Sequence, residues 1–167
     1  MGLEVSTVDT SIIDLPDDIY DSFVYLPSII LYKAIKFLHG LHNIIFFYLD
    51  NNEFKLFIKR NCLNSCYIFK NNYSNDKANQ FFLDYEKKVF VEADGKSLEM
   101  VTKLYEINEQ VMLFIGKDVP ILIKYDITDD LKSYLKFYLI KKEVEYDSIK
   151  FNSSEFTKLY KIDLNSI

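Results

Sequence analysis

Tyr20-Asp-Ser-Phe-Val-Tyr-Leu-Pro-Ser-Ile-Ile-Leu-Tyr-Lys-Ala-Ile-Lys-Phe-Leu-His-Gly40 sets out in one run a strand, a helix start and an amphipathic helix. Tyr20 to Leu26 alternates well enough for a strand. Pro27-Ser28 is a helix-start signal, because proline's fixed φ suits the first turn and its missing N–H costs nothing there. Beyond it Ile30, Leu31, Ala34, Ile35 and Leu38 fall on one stripe at 3.6-residue spacing, which predicts a helix to about His39 with that stripe buried. Ile29, Lys33 and Lys36 lie on the opposite face. Gly40 stands where a left-handed C-cap is expected.

Two strands follow, Ile44 to Leu49 and Phe54 to Lys59, joined as a hairpin by Asp50-Asn51-Asn52, whose side chains tolerate turn conformations. Cys62 to Lys70 reads as a further strand and Asn71 to Ala78 as a loop. Phe81 to Tyr85 and Lys88 to Val91 are strand candidates. Ser97 to Ile107 is then helical, with Leu98, Val101, Leu104 and Tyr105 as its apolar stripe and Lys96 and Lys103 on the other face. Strands at Val111–Ile115, Ile121–Ile127 and Leu135–Ile140 complete the pattern, with a turn at Gly116-Lys-Asp118. The order is β-α-β-β-β twice over. This internal repeat predicts an α+β fold in which two helices lie side by side on one face of curved antiparallel sheets.

Composition agrees with a single core. The chain has 167 residues and net charge −5, with 49% hydrophobic, 16% aromatic and 27% charged residues. That length leaves no room for two ordinary cores but is ample for one. The 13 Tyr and 14 Phe favour sheet faces over Ala-rich bundles. The acidic balance excludes a protein held to nucleic acid by bulk charge, so any DNA contact must rest on a local basic surface. The N-terminus shows no cationic stretch before a long apolar run, and no signal peptide is expected. The longest apolar run, around Leu41 to Leu49, is far short of the ~20 residues of a membrane span. Two cysteines, Cys62 and Cys66, make no disulfide framework and point to a reducing compartment.

In this order the residues resemble a known family. Ile13-Asp-Leu-Pro-Asp-Asp-Ile-Tyr20 is similar to the end of the interdomain connector of sliding clamps of the proliferating cell nuclear antigen type. Leu26-Pro-Ser28 is similar to the start of the first helix of their C-terminal domain. Gly116-Lys-Asp-Val-Pro-Ile-Leu-Ile-Lys-Tyr-Asp-Ile127 resembles the late hairpin with its Val-Pro pair. Leu135-Lys-Phe-Tyr-Leu-Ile-Lys-Lys142 resembles the closing Leu-x-x-Tyr-Leu-Ala-Pro-Lys strand. The resemblance covers about residues 10 to 142 and includes no counterpart of the family's N-terminal domain. It implies the DNA clamp fold, with residues 1–19 connector-like, 20–142 the clamp C-terminal domain and 143–167 an extension.

The resemblance also implies sites. Lys33, Lys36, Lys96 and Lys103 fall where these clamps carry basic residues on the helices lining the central hole. Four cations there touch phosphates without reading bases, weakly and with strong dependence on salt. The competing reading is a solvated helix face, supported by Glu99 four residues before Lys103. Ile13, Leu15 and Pro16, with Pro120, Tyr138, Leu139 and Ile140, match the pocket for short partner peptides, an apolar patch beside an extended loop. The family's Ala-Pro is Ile140-Lys141 here, which makes the rim bulkier and more cationic. Leu38, Leu41, Cys66, Tyr67 and Phe69 match the edge through which clamp subunits pair head to tail. An exposed edge needs a cover, from another chain or from the tail. Phe151, Phe156, Leu159, Tyr160 and Ile162 make that tail too apolar to be a simple acidic one.

The implied function is a nonenzymatic processivity factor and scaffold, with no cofactor, that contacts duplex DNA and tethers replication or repair proteins. Its implied partners are DNA polymerase and other clamp-binding peptides, further clamp subunits or a chain supplying the N-terminal domain, and no membrane. The implied location is the nucleus, or a viral replication site if the source is viral. Two competing readings are a checkpoint-clamp subunit and a peptide-binding module that does not encircle DNA. His39, His42, Cys62 and Cys66 superficially offer zinc ligands. In a strand, however, four residues at about 3.3 Å each put the two thiols ~13 Å apart, which argues against both a shared metal and a disulfide. No phosphate loop, dinucleotide fingerprint or nucleophile motif occurs, and the pairs Asp17-Asp18 and Asp129-Asp130 read as turns or solvated face.

Overall fold

The computed structural model describes residues 19–20, 22–50, 53–59, 64–70, 80–83, 89–116, 118–127, 133–143 and 158–162. Ile13, Leu15, Pro16 and Cys62 lie outside these residues, as does most of the connector-like segment. Among the described residues eleven strands and two α-helices follow the order β1 (Ser22–Pro27), α1 (Ser28–Leu41), β2 (Ile44–Leu49), β3 (Glu53–Ile58), β4 (Ser65–Lys70), β5 (Gln80–Leu83), β6 (Val89–Asp94), α2 (Gly95–Thr102), β7 (Gln110–Ile115), β8 (Ile121–Asp126), β9 (Tyr134–Leu139), β10 (Lys141–Glu143) and β11 (Lys158–Ile162).

The strands form two sheets, ordered β5-β1-β7-β8-β9 and β10-β6-β2-β3-β4-β11. The repeat is real, with five strands in each half: β5 is the strand candidate at Phe81 to Tyr85, which the β-α-β-β-β order leaves uncounted, and β10 is one the sequence pattern did not suggest. β1 to β5 with α1 form one half, and β6 to β10 with α2 the other. Each half gives its first strand to the other half's sheet. β1 pairs antiparallel with β7 in the register Val24↔Leu113, and β6 pairs antiparallel with β2 in the register Phe47↔Val91. Each half then lays its last strand on its own first, β5 on β1 and β10 on β6. This exchange locks the halves together, since neither sheet is complete without strands from both.

The inner faces of both sheets and the helices share one core. In α1 Leu31, Ala34, Ile35 and Leu38 are fully buried and Ile30 packs against them, as the 3.6-residue period requires. Each such leucine or isoleucine contributes roughly 1.5–3 kcal/mol relative to exposure. β1 and β7 alternate strictly between buried and half-buried, the pattern of strands with one face on the core. β2 and β3 are buried almost throughout because their sheet is covered on both faces, and the one buried cation in these two strands, Lys55, pairs with Glu53 Oε2 at 2.7 Å. Ile45, Phe47 and Leu49 face the core, and Phe46, Tyr48, Phe57, Cys66, Ile68 and Phe90 cluster on the other side. There Phe46, Phe57 and Phe90 stack with centroids 5.3–5.9 Å apart.

Three boundaries differ from expectation. Gly40 is not a C-cap: α1 runs on to Leu41, and no described glycine has positive φ. The helix ends instead at His42, whose extended backbone donates its N–H to Leu38 O. The second helix starts earlier than Ser97, because Asp94 caps it, accepting from Ser97 N at 2.8 Å and from Ser97 Oγ at 2.7 Å. It stops at Thr102 and tightens into a 3₁₀ turn, Lys103–Glu106, so Lys96 and Lys103 do not share one regular helix. Between the antiparallel strands β7 and β8, where a turn is expected, Asp118 has φ 56°, a left-handed conformation that Asp tolerates better than most side chains.

Candidate functional site

The two helices lie side by side and antiparallel. At one end Ser28, buried at the start of α1, donates its hydroxyl to Tyr105 O at 3.1 Å and also to Asn108 O, and Tyr32 stacks on Tyr105 at 4.8 Å. At the other end Gly95 N donates to Asn43 O at 2.6 Å. A Cβ on Gly95 would stand 2.9 Å from that oxygen and 3.0 Å from the His39 ring, so only glycine permits this approach. Between the ends His39 Nδ1–H donates to Glu99 Oε2 at 2.6 Å. This bond, ahead of the contribution of Lys103, holds the Glu99 carboxyl below the usual glutamate value.

Lys33, Lys36, Lys96 and Lys103 are all exposed, on the solvent side of this helix pair. They are not equivalent. Lys36 Nζ lies 5.5 Å above the Tyr32 ring, and Lys103 Nζ is 3.4 Å from Glu99 Oε1. Glu99 therefore ties the helices together through His39 and partly neutralises Lys103. Asp94, Glu106 and Glu109 are exposed beside Lys96 and Lys103, so that side of the surface is mixed in sign, whereas α1 carries Lys33 and Lys36 and no acidic residue.

A second feature sits where β8 and β9 meet β10. An open depression of about 390 Å³ is lined by Asp118, Val119, Pro120, Ile140 and Lys141. A smaller one of about 200 Å³, lined by Ile44, Glu92, Ala93, Asp94, Ile140 and Lys141, adjoins it. Ile140 stands between them with 91% of its surface exposed. The structure thus brings Pro120 and Ile140 together, while Tyr138 and Leu139 are half-buried in β9 and Leu139 packs on the core. The sequence reading missed Asp118 and Val119 as lining residues. Their cue was the turn itself, which carries Val119-Pro120 to the rim.

The third group lies on and beneath β4. Leu38, Cys66 and Phe69 are fully buried within this chain, Leu41 is half-buried, and Tyr67 sits edge-on to Phe37 at 5.9 Å. The β4 backbone is itself paired on both sides, to β3 and to β11, so neither it nor these buried side chains are presented to a second chain in this arrangement. Burial pushes the Cys66 thiol up to about 12, so it is protonated at neutral pH. Among the described residues no three His, Cys, Asp or Glu side chains are grouped to hold a metal. His39 is engaged with Glu99, and His42 Nδ1 accepts from Ile44 N at 3.1 Å. No helix among the described residues is long and apolar enough to cross a membrane.

Two exchanged half-units, paired sheets and two adjacent antiparallel helices make this a clamp architecture. A family model described as the proliferating cell nuclear antigen C-terminal domain matches residues 14–142, well over half of the chain. The chain belongs to the PCNA family of sliding clamps. This family is one of DNA-associated scaffolds rather than enzymes, working with clamp-binding proteins and other subunits. The match ends at residue 142, so β11 lies beyond it.

Proposed function

We propose that this PCNA-family chain is a processivity scaffold whose helix face rests on duplex DNA and whose β8–β9 rim holds partner peptides. The observation that carries the reading is the exposure of Lys33 and Lys36 on α1, Lys96 on α2 and Lys103 in the 3₁₀ turn that follows, with the two helices fixed against each other by the His39–Glu99 bond and the Gly95 approach. Lysines on exposed stems meet phosphates as point charges, which gives affinity without sequence reading and permits sliding. The acidic neighbours keep this contact weak. Replacing all four lysines by glutamine should abolish duplex binding measured by fluorescence anisotropy at low salt. Removing Lys33 and Lys36 alone should lower the slope of log K against log salt by about 0.9 for each phosphate that is no longer neutralised. Unchanged binding by the quadruple variant would refute the DNA role.

For the peptide site, the depression beside Pro120 and Ile140 offers an apolar floor with Lys141 at its rim, suited to an aliphatic or aromatic anchor next to an acidic residue. Ile13, Leu15 and Pro16 supply the connector side of the pocket in this reading. In the same reading Leu38, Leu41, Cys66, Tyr67 and Phe69 underlie a subunit edge at β4, and the working location is the nucleus or a viral replication site. The non-encircling reading keeps the peptide site without a ring. It is favoured by the strand that already lies along β4.

A further inference from the structure

The duplicated fold accounts for ten of the described strands and leaves one over. β4 and β9 are the fourth strands of the two halves and hold equivalent places in their sheets. β9 ends its sheet among the described residues, whereas β4 is followed by β11. β11 pairs with β4 over five positions, from Lys158↔Ser65 to Ile162↔Phe69. It is also, among the described residues, the one parallel partner in sheets that are otherwise antiparallel. It therefore belongs to neither half-unit and has been laid onto a finished sheet.

We infer that β11 is a displaceable cap that closes, in cis, a strand-addition site on β4. An uncapped edge presents a row of free N–H and C=O groups along the strand and templates pairing with another chain. β4 is a strong template because its side chains are already ordered: Cys66, Ile68 and Phe69 are buried, and every residue is paired to β3 from Glu53↔Lys70 to Ile58↔Ser65. The cap belongs to the same chain as the sheet, and an intramolecular partner acts at an effective concentration of order millimolar. A free strand at micromolar concentration therefore loses to β11 by about a thousandfold at equal intrinsic affinity, and gains the edge once β11 is detached. The inference concerns the β4 edge alone and stands or falls independently of DNA contact by the lysines.

The test uses the full chain with Leu159→Pro and Tyr160→Pro together. Adjacent residues of a strand point their backbone groups to opposite sides, so one of the two prolines must remove a bond to β4. The probe is a fluorescent peptide spanning residues 154–166. It should bind the double variant at least tenfold more tightly than the unaltered chain. Equal binding to both chains, or binding to neither, would overturn the inference. A second variant, Leu159→Cys with Cys62→Ser, keeps the cap attached. Leu159 is the register partner of Cys66, and neighbouring strands lie within reach of a disulfide. Prolonged oxidation of this variant should join the introduced thiol to Cys66 within one chain. A bond found only between chains, or none, would contradict a cap held in cis.

Discussion

Strand β4 and strand β9 sit at equivalent ends of two sheets built to one plan, yet their surroundings differ. β4 lies between β3 and β11, and of its six residues only Tyr67 and Lys70 escape full burial. β9 is paired on one side to β8, and none of its residues is fully buried. The same contrast runs through the sheets they end. Phe46, Phe57 and Phe90 stack on the far face of the β4 sheet, where the far face of the β9 sheet offers half-buried Phe23, Tyr25, Met112 and Phe114. A duplicated fold thus keeps its topology while its halves diverge in what they bury. The more open half carries the rim formed by Pro120 and Ile140.

The strongest way to sharpen this contrast is to cut one core-packed aromatic in each strand. Phe69→Ala in β4 removes a fully buried ring and should cost about 3–5 kcal/mol in urea unfolding. Phe137→Ala in β9 removes a half-buried one and should cost about 1–2 kcal/mol. Equal losses would break the comparison. Next come the glycines of the two helices. Gly95→Ala drives a methyl onto backbone at 2.9 Å and should destabilise by about 1–3 kcal/mol, with separation of α1 from α2. Gly40→Ala meets nothing within 4 Å inside a helix and should stabilise by about 0.5–1 kcal/mol.

A smaller effect is expected at the contact between the halves. The Glu99 carboxyl is held low in the folded chain, so its bond with His39 contributes stability above the ordinary glutamate value near 4.5. That contribution fades as pH falls through the lowered folded value. Glu99→Gln should accordingly lower the urea midpoint at pH 6 and converge with the unaltered chain at acid pH. A constant difference down to about pH 3 would remove Glu99 from this role. The smallest effect belongs to Ile140→Asp: at 91% exposure its stability should stay within about 0.5 kcal/mol, while capture of clamp-binding peptides falls.

Much of this was legible because burial imposes a period. The stripe Leu31, Ala34, Ile35 and Leu38 identified α1 and its inward face, and the alternation from Tyr20 to Leu26 identified β1, whereas β7 is apolar at nearly every position and its inward face was not legible. Pairing partners were not legible, since a strand's own sequence does not say which sheet it joins; the exchange of β1 and β6 between halves left no local mark. β10, Lys141-Lys-Glu143, has no apolar pattern at all. The close approach at Gly95 and the Glu99 bond depend on residues far apart in sequence, although Asp94 preceding Ser97 was a readable helix-capping signal. The lysines were placed by helix period and the rim by resemblance. Neither route revealed that Lys103 stands in a 3₁₀ turn against Glu99.

Amide hydrogen exchange on the unaltered full chain tests the difference between the two edges most directly. Strand β4 is paired on both sides from Ser65 to Phe69, so the amides of residues 65–69 should be protected throughout. Among the described residues β9 is paired with β8 alone, so the amides of residues 134–139 should on average exchange faster than those of β4. Equal exchange in the two strands, with half of the β4 amides as fast as those of β9, would contradict a β4 edge closed by β11.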